Sequence, residues 1–83
     1  MKNVILDGRQ IHNREELFES IRGQLQSEVF VGNNLDAFYD ALTENPQNIE
    51  LIFEEKELLQ QTLGDYFQRF LKVYREYRQE RGL

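Results

Sequence analysis

The chain of 83 residues is most informative at positions 30–42, which read Phe30-Val31-Gly32-Asn33-Asn34-Leu35-Asp36-Ala37-Phe38-Tyr39-Asp40-Ala41-Leu42. Gly32-Asn33 indicates a turn, and Asn34 is of the residue type that caps helix N-termini. The pattern predicts a short helix from Leu35 to about Thr43. Asn45-Pro46 should end it, because the residue before a proline avoids the α region.

Two carboxylates lie on one face of this predicted helix. Asp36 falls in the first turn, where free N–H groups and the helix dipole stabilise a negative charge, and Asp40 follows one turn later. Like charges at this spacing cost a few tenths of a kcal/mol, and no base lies between Arg22 and Lys56 to offset them. The spacing permits two interpretations: a capped surface helix with solvated acids, or a binding face for a cationic cleft.

Outward from this stretch, the apolar pattern predicts the order β-α-α-β-α-α. Strands are expected at residues 3–6 and 49–53, and helices at about 14–26, 35–43, 54–61 and 66–81. Two strands joined by a helical crossover should pair in parallel, and both look apolar on both faces, as in a sheet covered by helices. The predicted fold class is α/β, with a small layer of two parallel strands packed by about four helices in one domain, residues 1–83.

Several local features refine this prediction. Asn13 and Glu16 form a capping-box pattern for the first helix, and Asp65 is placed to cap the last one. In the third helix Leu58 and Leu59 are expected to point inward. Two parallel strands make a poor sheet by themselves, so either the sheet has only two strands or the helices carry more of the core than usual. A partner could also cover the free edge. A weak homo-oligomer through that edge is one such arrangement.

The net charge of −5 is unevenly distributed. Residues 28–65 hold nine acids and one base, whereas residues 66–83 hold five bases and two acids. We interpret the basic C-terminal segment as a solvated helix end, where cations complement the helix dipole. The overall balance argues against direct binding of nucleic acid, which requires a basic surface, and against binding to an anionic membrane.

Composition also limits the chemistry. Cysteine is absent, which excludes disulfides and thiolate zinc sites and is in keeping with a cytoplasmic location. His12 is the one histidine, and it precedes the first helix, far along the chain from the acids. Asp36 and Asp40 could in principle act as acid and base or bind Mg²⁺, but no phosphate-binding loop or nucleophile–base pattern accompanies them. The sequence therefore predicts a binding protein rather than an enzyme, without cofactor or metal.

The central stretch also suggests a family. Gly32-x-Asn34-Leu35-Asp36-Ala37-x-x-Asp40, with an aromatic residue at position 39, resembles the signature of barstar-type ribonuclease inhibitors. The segment Val73-Tyr74-Arg75-Glu76, with Glu80 and Gly82 behind it, is similar to the final helix of that family. The resemblance covers nearly the whole chain and implies a barstar-like fold in which the family's third strand is missing.

The resemblance implies an intracellular inhibitor of a guanyl-type ribonuclease, or an immunity protein against a nuclease toxin. Proteins of this family insert an acidic helix into the active site, where carboxylates replace substrate phosphates. Carried over to this chain, Asp40 would be the principal phosphate mimic and Asp36 would pair with a cation at the rim. Tyr39 would pack against a loop of the nuclease, and Phe30 would stack on its catalytic histidine.

The remaining expected contacts come from the start of this helix and from the last helix. Asn34 and Leu35 would supply backbone and apolar contacts, Gly32 would allow close approach, and Glu76 would add a second acidic prong. This chain departs from the family pattern where Phe30 stands in place of a tyrosine, Tyr39 in place of a tryptophan and Glu44-Asn45 in place of a Gly-Trp pair. The alternative function is a barstar-fold interaction module that binds another basic protein without inhibiting a nuclease.

Overall fold

A computed structural model describes residues 1–26, 30 and 32–83 of the chain. The elements are β1 (Lys2–Asp7), α1 (Arg14–Leu25), α2 (Leu35–Glu44), β2 (Ile49–Glu54), α3 (Lys56–Leu63) and α4 (Asp65–Glu80). Type and order agree with the sequence-based prediction, and the fold is α/β with two parallel strands and four helices. Val29 and Val31, which extend the apolar run before the turn, lie outside the described residues.

The two strands pair in parallel from Lys2 opposite Ile49 to Asp7 opposite Glu54. Alternate side chains on each strand point into the core, including Val4 and Leu51, which are buried. The expectation of a sheet covered on both faces is wrong. Ile5 and Ile52, opposite each other on the other face, are 45% and 38% exposed. Their apolar character suggests burial, but this face of the sheet is partly open to solvent, and Ile5 lines a groove beside α1.

Side chains form hydrogen bonds with backbone groups at both outer edges of this sheet. On the β1 edge the Gln24 amide accepts from the Ile5 N–H at 2.7 Å and donates to the Ile5 carbonyl at 2.7 Å. On the β2 edge the Tyr77 hydroxyl accepts from the Ile49 N–H at 2.9 Å, and the Tyr74 hydroxyl accepts from the Leu51 N–H at 3.0 Å. Three polar side chains thus take positions that a neighbouring strand would otherwise fill.

Aromatic rings form the centre of the core between α1, α2 and α4. Phe38 of α2 stacks on Phe70 of α4 with ring centroids 4.6 Å apart. Phe18 of α1 makes edge or tilted contacts with both of these rings and with Tyr66. These contacts fix α2 against α4, the pair of helices on which the candidate site lies.

Three local predictions need correction. Leu58 is 36% exposed and only Leu59 of that pair is buried, because the short α3 presents a narrow inward face. Asp65 is the first residue of α4 rather than its cap; the N-cap position is Gly64, which has no side chain to make a capping hydrogen bond. Asn13 caps α1 as predicted, by accepting from the Glu16 N–H, but Glu16 accepts from the His12 N–H instead of completing the capping box.

Candidate functional site

The N-terminus of α2 is built by the turn that the sequence predicted. The Asn34 side chain accepts a hydrogen bond from the Ala37 N–H at 2.8 Å and so caps the helix. Gly32 has a φ of 103°, which favours glycine, and an added Cβ would lie 3.3 Å from the Asn34 side-chain nitrogen. The turn therefore needs glycine at position 32 both for its backbone and for space beside the cap.

Arg22 of α1 holds this turn from the side. Its guanidinium donates to the Phe30 carbonyl at 2.8 Å, the Gly32 carbonyl at 3.0 Å and the Asn33 side-chain oxygen at 2.9 Å. The same guanidinium lies 4.9 Å from the centre of the Phe30 ring. One arginine thus joins α1 to the loop that leads into α2.

Arg81 holds the opposite end of α2. From the C-terminus of α4 it donates to the Asn45 carbonyl at 2.7 Å, the Thr43 carbonyl at 2.9 Å and the Leu42 carbonyl at 3.3 Å. These carbonyls end α2 or follow it, where no intrahelical donor remains for them. The interpretation of the C-terminal bases as solvated is therefore wrong for Arg81, which binds the backbone of the α2–β2 connection.

Arg22 and Arg81 thus clamp the two ends of α2. Between them, α2 and α4 form an open groove of about 430 Å³. Four carboxylates line it, two from each helix, together with Leu35, Tyr39 and Val73; they are Asp36, Asp40, Glu76 and Glu80. No lysine, arginine or histidine nitrogen lies within 4 Å of any of these four carboxylates in the part of the chain that the structure describes. The groove is therefore a concentration of negative charge that the protein itself does not neutralise by ion pairing.

Tyr39 crosses this groove. Its hydroxyl donates a hydrogen bond to the Glu80 carboxylate, which joins the middle of α2 to the last turn of α4. This bond, partial removal from water and the negative charges of Glu80, Glu76 and Asp40 all raise the pKa of Tyr39 above its ordinary value. The Tyr39 hydroxyl is therefore protonated at neutral pH and can act as a hydrogen-bond donor.

The structure brings together five of the eight residues singled out in the sequence. Leu35, Asp36, Tyr39, Asp40 and Glu76 line the groove, and Asn34 and Gly32 build the turn at its start. Glu80 is the acidic residue that the site prediction omitted, although it follows Glu76 by four positions and so shares its helix face.

Phe30 does not belong to this surface. It is only 1% exposed and packs edge-on against Phe18, with ring centroids 6.0 Å apart. The ring is therefore not available, as placed here, for the expected stacking on a partner's histidine. Because the turn bends back onto α1, the aromatic residue that precedes it contributes to the core.

A second groove, of about 590 Å³, lies between β1 and α1. Its acids differ from those of the α2–α4 groove because several already have partners. Asp7 pairs with Arg9 at 2.9 Å, Glu54 approaches the same arginine at 3.6 Å, and Glu16 contacts His12 at 2.9 Å. Hydrogen bonds from Arg9 lower the pKa of Asp7, and those from His12 lower the pKa of Glu16. The negative charge of the β1–α1 groove is therefore partly neutralised by the protein's own Arg9.

Within the described residues, no three histidine or carboxylate side chains converge in a way that would hold a metal ion. Over the same residues, none of the helices has the length and apolar character required to span a bilayer.

Comparison with known proteins shows which family this chain is similar to. The family model described as Barstar (barnase inhibitor) matches residues 1–82. The chain belongs to the barstar family. It is also 32% identical over 83 residues to a Bacillus subtilis (strain 168) protein named "Putative ribonuclease inhibitor YrdF", an alignment that covers 96% of this chain and 89% of that protein. The barstar resemblance seen around residues 32–40 thus extends over almost the entire chain.

Proposed function

We propose that this barstar-family protein inhibits a small basic ribonuclease of the guanyl-specific type by placing the α2–α4 groove over the enzyme's active site. The observation that carries the proposal is that Asp36, Asp40, Glu76 and Glu80 line one groove, and none of them has an ion-pair partner among the described residues. An active site that cleaves RNA holds cationic side chains for phosphate groups. Carboxylates at matching positions would form charge-assisted hydrogen bonds with them.

Each residue has a distinct proposed role. Asp40, central on α2, replaces a substrate phosphate, and Asp36 pairs with a cation at the rim. Glu76 adds a carboxylate from α4, while Leu35 and the ring of Tyr39 supply apolar contact. Phe30 has no direct role in this proposal, since it is buried. Asn34, Gly32 and Arg22 hold the turn that orients α2.

The proposal does not include catalysis by this chain. His12 contacts Glu16 near the β1–α1 groove, and neither residue lines the groove that contains Asp36 and Asp40. The absence of cysteine from the sequence is compatible with a reducing cytosol, where an inhibitor or immunity protein would protect cellular RNA.

The direct test mixes the purified chain with a guanyl-specific ribonuclease and follows cleavage of an RNA substrate. We expect stoichiometric inhibition, and we expect Asp40→Asn to weaken the complex by at least about 30-fold, the loss typical of removing one member of a desolvated charge pair. Glu57→Gln, on the exposed surface of α3, changes the net charge equally and serves as the matched control. Equal inhibition by the Asp40 and Glu57 variants would contradict the proposed site.

Salt dependence gives a second measurement of the same complex. Uncompensated carboxylates should steer a basic partner, so the association rate constant should fall steeply between low and physiological ionic strength. The Asp40→Asn variant should show a shallower slope than Glu57→Gln. Equal slopes for the two variants would mean that the groove is not the surface that meets the partner.

The second candidate is a barstar-fold module that binds another basic protein and inhibits no nuclease. The burial of Phe30 favours it, because an aromatic contact expected from the family is missing from the surface. Under this alternative, capture on immobilised wild-type protein but not on Asp40→Asn would yield a basic protein without ribonuclease activity. Recovery of an RNA-cleaving enzyme that the chain inhibits would reject it.

A further inference from the structure

We propose that Tyr39 is a positioning residue that fixes the Glu80 carboxylate in the α2–α4 groove, so that the groove presents a fourth anionic contact to its partner. The proposal rests on the proposed binding function of this groove and extends it to a residue at its α4 end. It starts from the hydrogen bond that the Tyr39 hydroxyl donates to Glu80 across the two helices.

Glu80 would be poorly held without this contact. It is the last residue of α4, where the helix dipole disfavours negative charge, and its side chain is exposed. No cationic group lies within 4 Å of it among residues 1–26, 30 and 32–83. A glutamate in that setting samples many rotamers and would lose that freedom on binding. A hydrogen bond made before binding removes part of this cost.

Tyr39 is well suited to hold it. Its ring is half-buried and packs against the core between α2 and α4, which limits the positions that the hydroxyl can take. A tyrosine hydroxyl is protonated at neutral pH, and the hydrogen bond to Glu80, partial burial and the nearby negative charges raise the pKa of Tyr39 further above its ordinary value. The proton lies toward Glu80, and the second carboxylate oxygen of Glu80 is left to accept from a partner's cation.

Arg81 explains why the tether comes from α2. It directly follows Glu80 in the chain, but it donates to the Thr43 and Asn45 carbonyls at 2.9 and 2.7 Å. The nearest base in sequence therefore binds mainly backbone carbonyls, and Glu80 has no ion-pair partner among the described residues. A neutral donor such as tyrosine orients a carboxylate without neutralising its charge, whereas an arginine would neutralise it.

The experiment is a double-mutant cycle with Tyr39→Phe, Glu80→Ala and the double variant, each measured for affinity to the guanyl-specific ribonuclease. Tyr39→Phe keeps the ring and removes only the hydroxyl. We expect it to weaken binding roughly 2- to 10-fold, the range for one hydrogen bond, and to add no further loss when Glu80 is already alanine. Tyr39→Phe with Glu76→Ala is the matched control, for which the two losses should multiply.

A second measurement needs no partner. The chain has four tyrosines, and burial raises the pKa of Tyr66 as well, so the titration of Tyr39 is taken as the difference in alkaline tyrosine absorbance between each protein and its Tyr39→Phe counterpart. We expect this difference titration to show a raised pKa of Tyr39, which Glu80→Ala should lower and Glu57→Gln should not. An unchanged Tyr39 titration in Glu80→Ala, or independent losses in the Tyr39–Glu80 cycle, would overturn the positioning role. Failure of the wild type to bind any ribonuclease would instead reject the proposed function, and the titration would still decide whether Tyr39 holds Glu80.

Discussion

The Arg81 guanidinium lies 2.7 Å from the Asn45 carbonyl oxygen and thereby ties the end of α4 to the residue that follows α2. The same side chain also donates to the carbonyls of Leu42, Thr43 and Gln47 and to the Asn48 side-chain oxygen. Its guanidinium lies 5.0 Å from the centre of the Tyr77 ring. Because a planar guanidinium serves several acceptors at once, Arg81 joins the C-terminal ends of the two helices that form the groove, which the Phe38–Phe70 stack already holds together at their middle.

Replacing this arginine should therefore destabilise the fold. We expect Arg81→Ala to lower the free energy of unfolding by about 1–3 kcal/mol, since several carbonyls lose a charged donor together. Arg81→Lys should recover only part of the loss, because an ammonium cannot span the same acceptors. Urea unfolding measures both, and Arg75→Ala, at an exposed position of α4, is the control. Equal stability of the Arg81 and Arg75 variants would contradict the clamp.

Two glycines should respond in opposite ways to alanine. A Cβ on Gly8 would lie 2.3 Å from the Glu55 carbonyl oxygen, a backbone atom that cannot move away cheaply. A Cβ on Gly23, inside α1, would meet nothing within 4 Å. Gly8→Ala should therefore lower the thermal midpoint. Gly23→Ala should raise the free energy of unfolding by about 0.5–1 kcal/mol through better helix propensity. Calorimetry of the two variants measures both changes. Thermal midpoints that shift in the same direction would contradict the packing described for these glycines.

The acids of α2 should differ in their effect on stability. Asp36 lies in the first turn and is favoured by the helix dipole, so Asp36→Asn should lower the free energy of unfolding by about 0.3–1 kcal/mol. Asp40 lies four residues from both Asp36 and Glu44, so Asp40→Asn should raise it by a few tenths of a kcal/mol. Denaturant unfolding at low salt tests the signs. A stabilised Asp40→Asn that binds poorly would show that this charge is kept for binding at a cost to stability.

Stability should fall on the acid side. Hydrogen bonds from Arg9 lower the pKa of Asp7 below its ordinary value of 3.8, and those from His12 lower the pKa of Glu16 below 4.5. A carboxyl with a lowered folded-state pKa contributes stability that is present above its unfolded pKa and is lost as the pH falls through the folded value. We therefore expect the free energy of unfolding to decline below about pH 4.5. Asp7→Asn should flatten that decline, and an unchanged pH profile would rule out the Asp7 contribution.

Local sequence signals predicted most of the fold. Asn34 and Asn13 each accept the capping hydrogen bond expected of them, because a cap depends only on the first turn that follows it. The groove acids on α2 could also be found, since helical spacing alone places Asp36 and Asp40 on one face. The barstar resemblance added Glu76, which lies on another element.

What the sequence could not provide depends on tertiary packing. Ile5 and Ile52 are as apolar as buried strand residues, and only the position of the helices shows that their face is open. The acceptors of Arg81 are backbone carbonyls far away in the chain, which leave no mark in its own segment. A phenylalanine such as Phe30 fits a core as well as a binding surface. The path of the turn that follows it decides which of the two it joins, and the sequence does not give that path.

The clamps at the two ends of α2 have an evolutionary consequence. Arg22 and Arg81 grip mainly main-chain oxygens, which every amino acid supplies, rather than the side chains on the outer surface of the helix. Positions such as 36, 39 and 40 can therefore change without loosening their support. A scaffold of this kind can diversify its recognition surface while its architecture stays constant, and related proteins could meet different targets with the same two helices.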